Sequence, residues 1–175
     1  LTPSIGRKAG TYQWYEIQDN VAYWKDFESP KILYQEIATH QAFAWDENNF
    51  YSNNKTFLIP NSNYYLLALL NSTLVWFFLD QIVGKMAGGT YAMQTPYISQ
   101  IPIVNATKSQ RTAIEKLVQK CLDAKKGNPK ADTSELEKAI DHLVYKLYQL
   151  TYDEVKIIDP EFALTEQEYA AITIK

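Results

Sequence analysis

The run "YYLLALLNSTLVWFFLDQIV", residues 64–83, is the most apolar stretch of the chain, and it limits the folds open to it. On length alone it could cross a bilayer, which takes about 20 apolar residues. Yet Asn71, Ser72 and Thr73 stand at its centre, and Asp80 lies near its end. No basic cluster flanks either end, and its aromatic residues are not confined to the margins. Leu66, Leu67, Leu70, Leu74, Phe77 and Phe78 recur at helical spacing, and Asn61, Ser62 and Asn63 are candidate N-caps. A helix apolar nearly all round belongs inside a protein. The run is therefore read as a buried core helix, and no membrane partner is expected.

A helix of this kind needs other elements to cover it, and short strands precede it. After Pro30, residues 31–37 alternate, with Ile32, Tyr34 and Glu36 on one face and Leu33, Gln35 and Ile37 on the other. Strands are expected at 42–45 and 56–59, with 50–51 a further candidate. The intervening "DENN" and "SNN" are turn chemistry, because Asn and Asp tolerate left-handed backbone angles. Beyond the apolar run, "GKMAGG" breaks the helix, and "TYAMQTPYISQIPIV" reads as an extended segment punctuated by proline.

Composition changes near residue 104, which divides the chain into a lobe at 1–104 and a helical part at 105–175. Thr107 with Gln110 signals a capping box. Ile114, Leu117, Val118, Cys121 and Leu122 then share one helical face. "KKGNP" stops that helix, and Asp132 or Thr133 caps the next. Its apolar face holds Leu136, Ile140, Leu143, Val144, Leu147 and Leu150. Thr165 with Glu168 is a further capping signal in the tail. The expected fold class is α+β: a mixed, mainly antiparallel sheet around a buried helix, followed by an antiparallel helical hairpin.

The residues for catalysis are missing. His40 and His142 have no ligands or partners at useful spacing. Gly84, Lys85, Gly88 and Gly89 match a phosphate loop in composition, but the lysine does not follow the last glycine. Glu154 and Lys156 form an isolated Glu-x-Lys fragment with no Asp placed to join them. A single cysteine, Cys121, excludes an internal disulfide and fits a reducing, cytoplasmic setting. The N-terminus has no secretory signal and reads as a cut inside a longer polypeptide. The sequons at Asn54, Asn71 and Asn105 are accordingly read as chance matches. Net charge is −3, with a pI near 5.4, which is unlike a strongly basic nucleic-acid binder. The many aromatic residues, thirteen Tyr and four Trp, suit a half-exposed binding surface or a core. From the residues alone this is a binding module and not an enzyme.

Three segments in order, "SPKILYQEI", "YYLLALLNSTLVWFFL" and "GGTYAMQTPYISQIPIV", resemble the TaqI-like C-terminal specificity domain of bacterial restriction-modification enzymes. The ending "LEKAIDHLVYKLYQLTYDEVKIID" is similar to the helical close of such proteins. In that family the domain recognises the target beside an adenine-N6 DNA methyltransferase, often fused to a nuclease. The family's "Asn-Pro-Pro-Tyr" signature and glycine-rich methyl-donor site are absent here. The resemblance implies a specificity fragment with no cofactor of its own, with S-adenosylmethionine expected in an upstream methyltransferase domain. The implied partners are that domain and double-stranded DNA.

Under that resemblance, polar loops would read base edges in the major groove, Asn and Gln pairing with adenine and Arg or Lys with guanine. The candidates are Thr39, His40 and Gln41 in "IATHQAF", Asn53, Asn54 and Lys55 in "YSNNKTF", and Lys85, Thr90, Tyr91 and Gln94 in "GKMAGGTYAMQTPY". Arg7 and Lys8 could contact the DNA backbone. Neither part of the chain is basic: seven basic against eight acidic residues over 1–108, and ten against twelve over 109–175. Weak DNA binding by the isolated chain follows. The competing reading is a protein-interaction module of a larger bacterial protein without direct DNA readout.

Overall fold

A computed structural model describes residues 9–18 and 22–174. A 3-10 helix, Ala22–Glu28, leads into four strands: β1 (Lys31–Gln35), β2 (Ile37–Ala38), β3 (Ala44–Asp46) and β4 (Thr56–Pro60). Next come α1 (Tyr64–Leu70), α2 (Thr73–Ile82), β5 (Lys85–Met86), β6 (Thr90–Ala92) and α3 (Thr95–Ile98). The remainder is helical: α4 (Lys108–Gly127), α5 (Ser134–Leu147), α6 (Tyr152–Ile158) and α7 (Glu166–Ala171). The class is α+β, as expected, with small antiparallel sheets.

The strand expected at 31–37 divides between two sheets. Sheet one has the order β3-β1-β4, with Ile32 opposite both Trp45 and Ile59. Sheet two has the order β2-β6-β5. Glu36 joins them: its N–H donates to Lys55 O at 3.0 Å, and its carbonyl accepts from Met93 N at 2.8 Å. Ile32 and Tyr34 point into the core, as the alternation predicts. Lys31 is also buried, because Asp46 lies 2.5 Å from its Nζ and Phe27 O accepts from it at 2.7 Å.

Asp46 also explains why 50–51 is no strand. Its carboxylate accepts from Asn48 N at 2.8 Å and Phe50 N at 3.0 Å, folding the segment into a loop with Asn49 left-handed at φ 58°. Burial pushes the Asp46 carboxyl up, but Lys31 and the two backbone N–H groups outweigh it and hold the group below its ordinary range. The strand expected at 42–45 starts at Ala44 instead, since the backbone of Phe43 is bound to a side chain, as described below.

The apolar run is two helices, not one. α1 and α2 meet at 56° across Asn71 and Ser72. Ser72 Oγ donates to Leu69 O at 2.7 Å and caps α2 by accepting from Val75 N at 3.2 Å. Asn71 caps the C-terminus of α1. Thr73 is held by Asp141 on α5, whose carboxylate accepts from its N at 2.9 Å and its Oγ1 at 2.7 Å. Each central polar residue thus ends or starts a helix. Among the described residues no single helix is long and apolar enough to cross a membrane; the bent pair has the length and composition only when taken together. Leu69 and Leu79, one from each helix, are fully buried.

The segment read as extended, "TYAMQTPYISQIPIV", is instead β6 followed by the short helix α3. Gly88 and Gly89 turn the β5–β6 hairpin with φ of 79° and 71°, angles that side chains disfavour. The helical part forms the expected hairpin of α4 and α5. The Thr107 and Thr165 capping boxes are both present, and a third opens α6 through Thr151 and Glu154. Asp132 accepts from Ser134 N at 3.0 Å at the start of α5, while Thr133 makes no side-chain cap.

One apolar core runs across position 104: Ile32, Leu69 and Leu79 cluster with Ile114 and Val144. A second, aromatic cluster of Tyr145, Val155, Phe162 and Tyr169 closes the helical end.

Candidate nucleic-acid interface

Sheet two carries most of the candidate residues, and its registers place them. Ala38 pairs with Tyr91, and Met86 with Thr90. The loop of Thr39, His40 and Gln41 therefore leaves β2 at the end of the sheet where Thr90 and the Gly88–Gly89 turn lie. Gln94 follows β6 at the opposite end, next to Met93, while the Asn53–Asn54–Lys55 turn leads into β4 of sheet one, with Lys55 O bonded to Glu36 N at the junction. The fold places Thr39–Gln41, Lys85, Thr90, Tyr91 and Gln94 on or beside sheet two, and the Asn53–Lys55 turn at the seam with sheet one, where it leads into β4. Arg7 and Lys8 lie outside the described residues.

At the first end, Thr39 and His40 are exposed and joined by a 3.0 Å hydrogen bond between Oγ1 and Nδ1. Thr90 Oγ1 donates to Ala87 O at 3.3 Å and steadies the turn. His40 and Gln41 also edge a groove of about 630 Å³ floored by Leu67, Ala68 and Val118. At the other end, Asn53 Oδ1 accepts from Lys55 N at 3.0 Å, a local turn, while Asn54 is exposed. Gln94 is exposed and precedes α3 without a side-chain cap.

The lysines are not free cations. Lys55 Nζ lies 2.8 Å from Glu36 Oε2. Lys85 Nζ lies 2.9 Å from Asp80 Oδ1, which also accepts from Tyr91 Oη at 2.5 Å. The Tyr91 and Lys85 hydrogen bonds hold the Asp80 carboxyl below its usual range, and Asp80 in turn raises Lys85 and Tyr91. Trp76 meets the Tyr91 ring edge-on with centroids 4.8 Å apart.

Two residues of this site escape a reading of loops alone. Asn71 holds the chain just after the Thr39–Gln41 loop: its Oδ1 accepts from Phe43 N at 3.1 Å, and its Nδ2 donates to Phe43 O at 2.8 Å. It stood out in the sequence as a polar break in an apolar run, but its partner 28 positions earlier gave no signal. Asp80 stood out only as an acidic residue in the same run. Exposed aromatic residues form a further feature, with Tyr23 and Trp24 on the 3-10 helix and Phe50 and Tyr51 on the loop after β3. Phe27 and Tyr51 stack at 4.9 Å and tie the two segments together. Among the described residues no group of three or more His, Cys, Asp or Glu is placed to hold a metal ion.

Residues 7–103 match the TaqI-like C-terminal specificity domain, and the match spans both sheets and the bent helix pair. The chain belongs to the TaqI-like specificity domain family. This TaqI-like domain is 24% identical over 154 residues to the type II methyltransferase M.BstVI of Geobacillus stearothermophilus. That alignment covers 86% of this chain and 25% of the relative. The TaqI-like fold is also similar to part of the type IIL restriction-modification enzyme MmeI, solved in complex with DNA. There the TM-score is 0.61 at 17% identity, over 82% of this chain and 20% of MmeI. The chain thus spans about a quarter or less of the length of these relatives. The similarity extends past residue 103, so the helical hairpin shares in it.

Proposed function

We propose that this chain is the sequence-reading part of a restriction-modification DNA methyltransferase, holding duplex DNA for adenine-N6 methylation by a catalytic domain elsewhere in its parent protein. The observation that carries this reading is the arrangement of sheet two within a family-matched lobe. It presents Thr39, His40 and Gln41 beside a glycine turn at one end and Gln94 at the other, with Asn53, Asn54 and Lys55 across the junction at the start of β4. These side chains supply the amide, hydroxyl and ammonium groups that read base edges and grip phosphates. The methyl donor S-adenosylmethionine would be held by the catalytic domain, and no residue here is assigned to it. The target adenine would be flipped out of the duplex into that domain.

The acidic balance and the paired lysines support weak binding by this chain alone. Fluorescence anisotropy with a labelled duplex, read from low to physiological salt, tests this. The expected result is weak binding that falls steeply with salt, as phosphate contacts release counterions. Failure to bind at low salt, or binding that salt leaves unchanged, overturns the reading. The exposed aromatic residues Tyr23, Trp24, Phe50 and Tyr51 favour a second role in docking a protein surface. Such an interface would be insensitive to salt.

A further inference from the structure

We infer that Asp80 is a stand-in for DNA phosphate, seated between Lys85 and Tyr91 in the unbound chain and exchanged for a backbone phosphate when duplex DNA docks. This rests on the DNA-reading role proposed above and gives it a specific contact and a built-in restraint. The Asp80 Oδ1 oxygen takes the two donors that a phosphate oxygen would take, an ammonium at 2.9 Å and a phenolic hydroxyl at 2.5 Å. The Tyr91 donor is positioned independently of it, and Lys85 stays near. Tyr91 is braced by Trp76 and lies in the central strand of sheet two, and Lys85 Nζ sits 5.6 Å from the Tyr91 ring centroid.

Exchange is cheap at this site. The Lys85 side chain is 59% exposed on an edge strand and Asp80 is 32% exposed. A surface pair of this kind contributes little, because water and salt screen it and both side chains lose freedom in making it. The contrast is Lys31 with Asp46, exposed by 0% and 2%, where removing either partner strands a buried charge. Beside Lys85 the Gly88–Gly89 turn is open, with nothing within 4 Å of a Cβ built at either glycine, so a DNA backbone can approach closely. The carboxylate therefore neutralises the hairpin until a phosphate arrives, and non-specific binding is held down.

The test compares Asp80→Asn, Asp80→Ala, Lys85→Gln and the Asp80→Asn/Lys85→Gln pair by anisotropy on a random-sequence duplex over a range of salt, with thermal melts run alongside. Asn keeps an acceptor for Tyr91, and Ala removes it, so a folding defect in one variant leaves the other to answer. Removing the carboxylate should tighten low-salt binding about three- to fivefold. Because wild type and Asp80 variants make the same phosphate contact in the complex, the slope of log K against log salt should stay close to the wild type's in both and fall by about 0.9 in Lys85→Gln. Most of the gain should vanish in the Lys85→Gln background. A gain that persists there is a general charge effect and overturns the inference. Wild-type binding with no gain from either Asp80 variant overturns it alone. Absence of binding by every protein overturns it together with the DNA-reading role.

Discussion

Asn71 does for Phe43 what a neighbouring strand would do, satisfying its N–H and its C=O together at 3.1 and 2.8 Å. Asn71→Ala leaves both groups without these partners, and each buried polar group left unmade costs about 1–3 kcal/mol. The expected loss is about 2–4 kcal/mol in urea unfolding, with weaker DNA binding as the Thr39–Gln41 loop loosens. Asp141 is a second residue whose chemistry reaches beyond its own helix. Burial, opposed by the Thr73 hydrogen bonds and reinforced by Asp159 and Glu137, pushes its carboxyl from 3.8 to about 6. The folded chain thus holds this proton more tightly than the unfolded chain. The stabilising contribution is full below about pH 4 and declines as pH rises through 6. Over that window it amounts to up to about 3 kcal/mol. Denaturant midpoints at pH 4.5 and 7 should show this slope in the wild type and a smaller one in Asp141→Asn. Both residues were visible in the sequence only as polar types in helical positions. Their partners, Phe43 and Thr73, are set by tertiary packing, which no local pattern reports.

At the scale of elements, legibility follows how local the stabilising contacts are. The Thr107 and Thr165 boxes could be read because both halves of a capping box lie three residues apart. The amphipathic faces of α4 and α5 could be read for the same reason. Sheet two could not: its strands have two or three residues, too few for alternation, and it pairs Ile37 with Ala92 across most of the lobe. The bend in the apolar run was half legible. "NST" was plainly polar, but the sequence did not say that Ser72 would begin a new helix. The β5–β6 hairpin makes its own prediction. Gly89→Ala at φ 71° meets no neighbour, so its cost is the backbone's alone, about 1–2 kcal/mol. A thermal shift of that size, with weakened duplex binding in anisotropy, is expected. Gly127→Ala, at an open helical position whose φ is not positive, should leave binding unchanged.

At the scale of the whole molecule, the sheet lobe and the helical hairpin share one apolar core. Ile114 of α4 is fully buried in the cluster that holds Ile32, Leu69 and Leu79. Ile114→Ala should therefore cost about 2–5 kcal/mol. The sheet lobe should report it as strongly as the helices do: tryptophan fluorescence and far-ultraviolet dichroism should shift together in a single transition. Two separated transitions would show that the lobes fold apart. Among the described residues no strand follows the compositional change near 104, but a change in residue usage does not reveal where an apolar core ends.

Glu36 is also a mechanical part. One residue hands its N–H to the first sheet and its carbonyl to the second. The outer loops of the second sheet, the Thr39–Gln41 segment and the glycine turn, lie beyond the residues that fill the core. Thr39 and His40 can therefore be exchanged at little cost to the interior, whereas the turn keeps its glycines. Under the DNA-reading role proposed above, a chain built this way would drift from one DNA word to another by rewriting exposed loop tips, while the grammar of its interior stays the same.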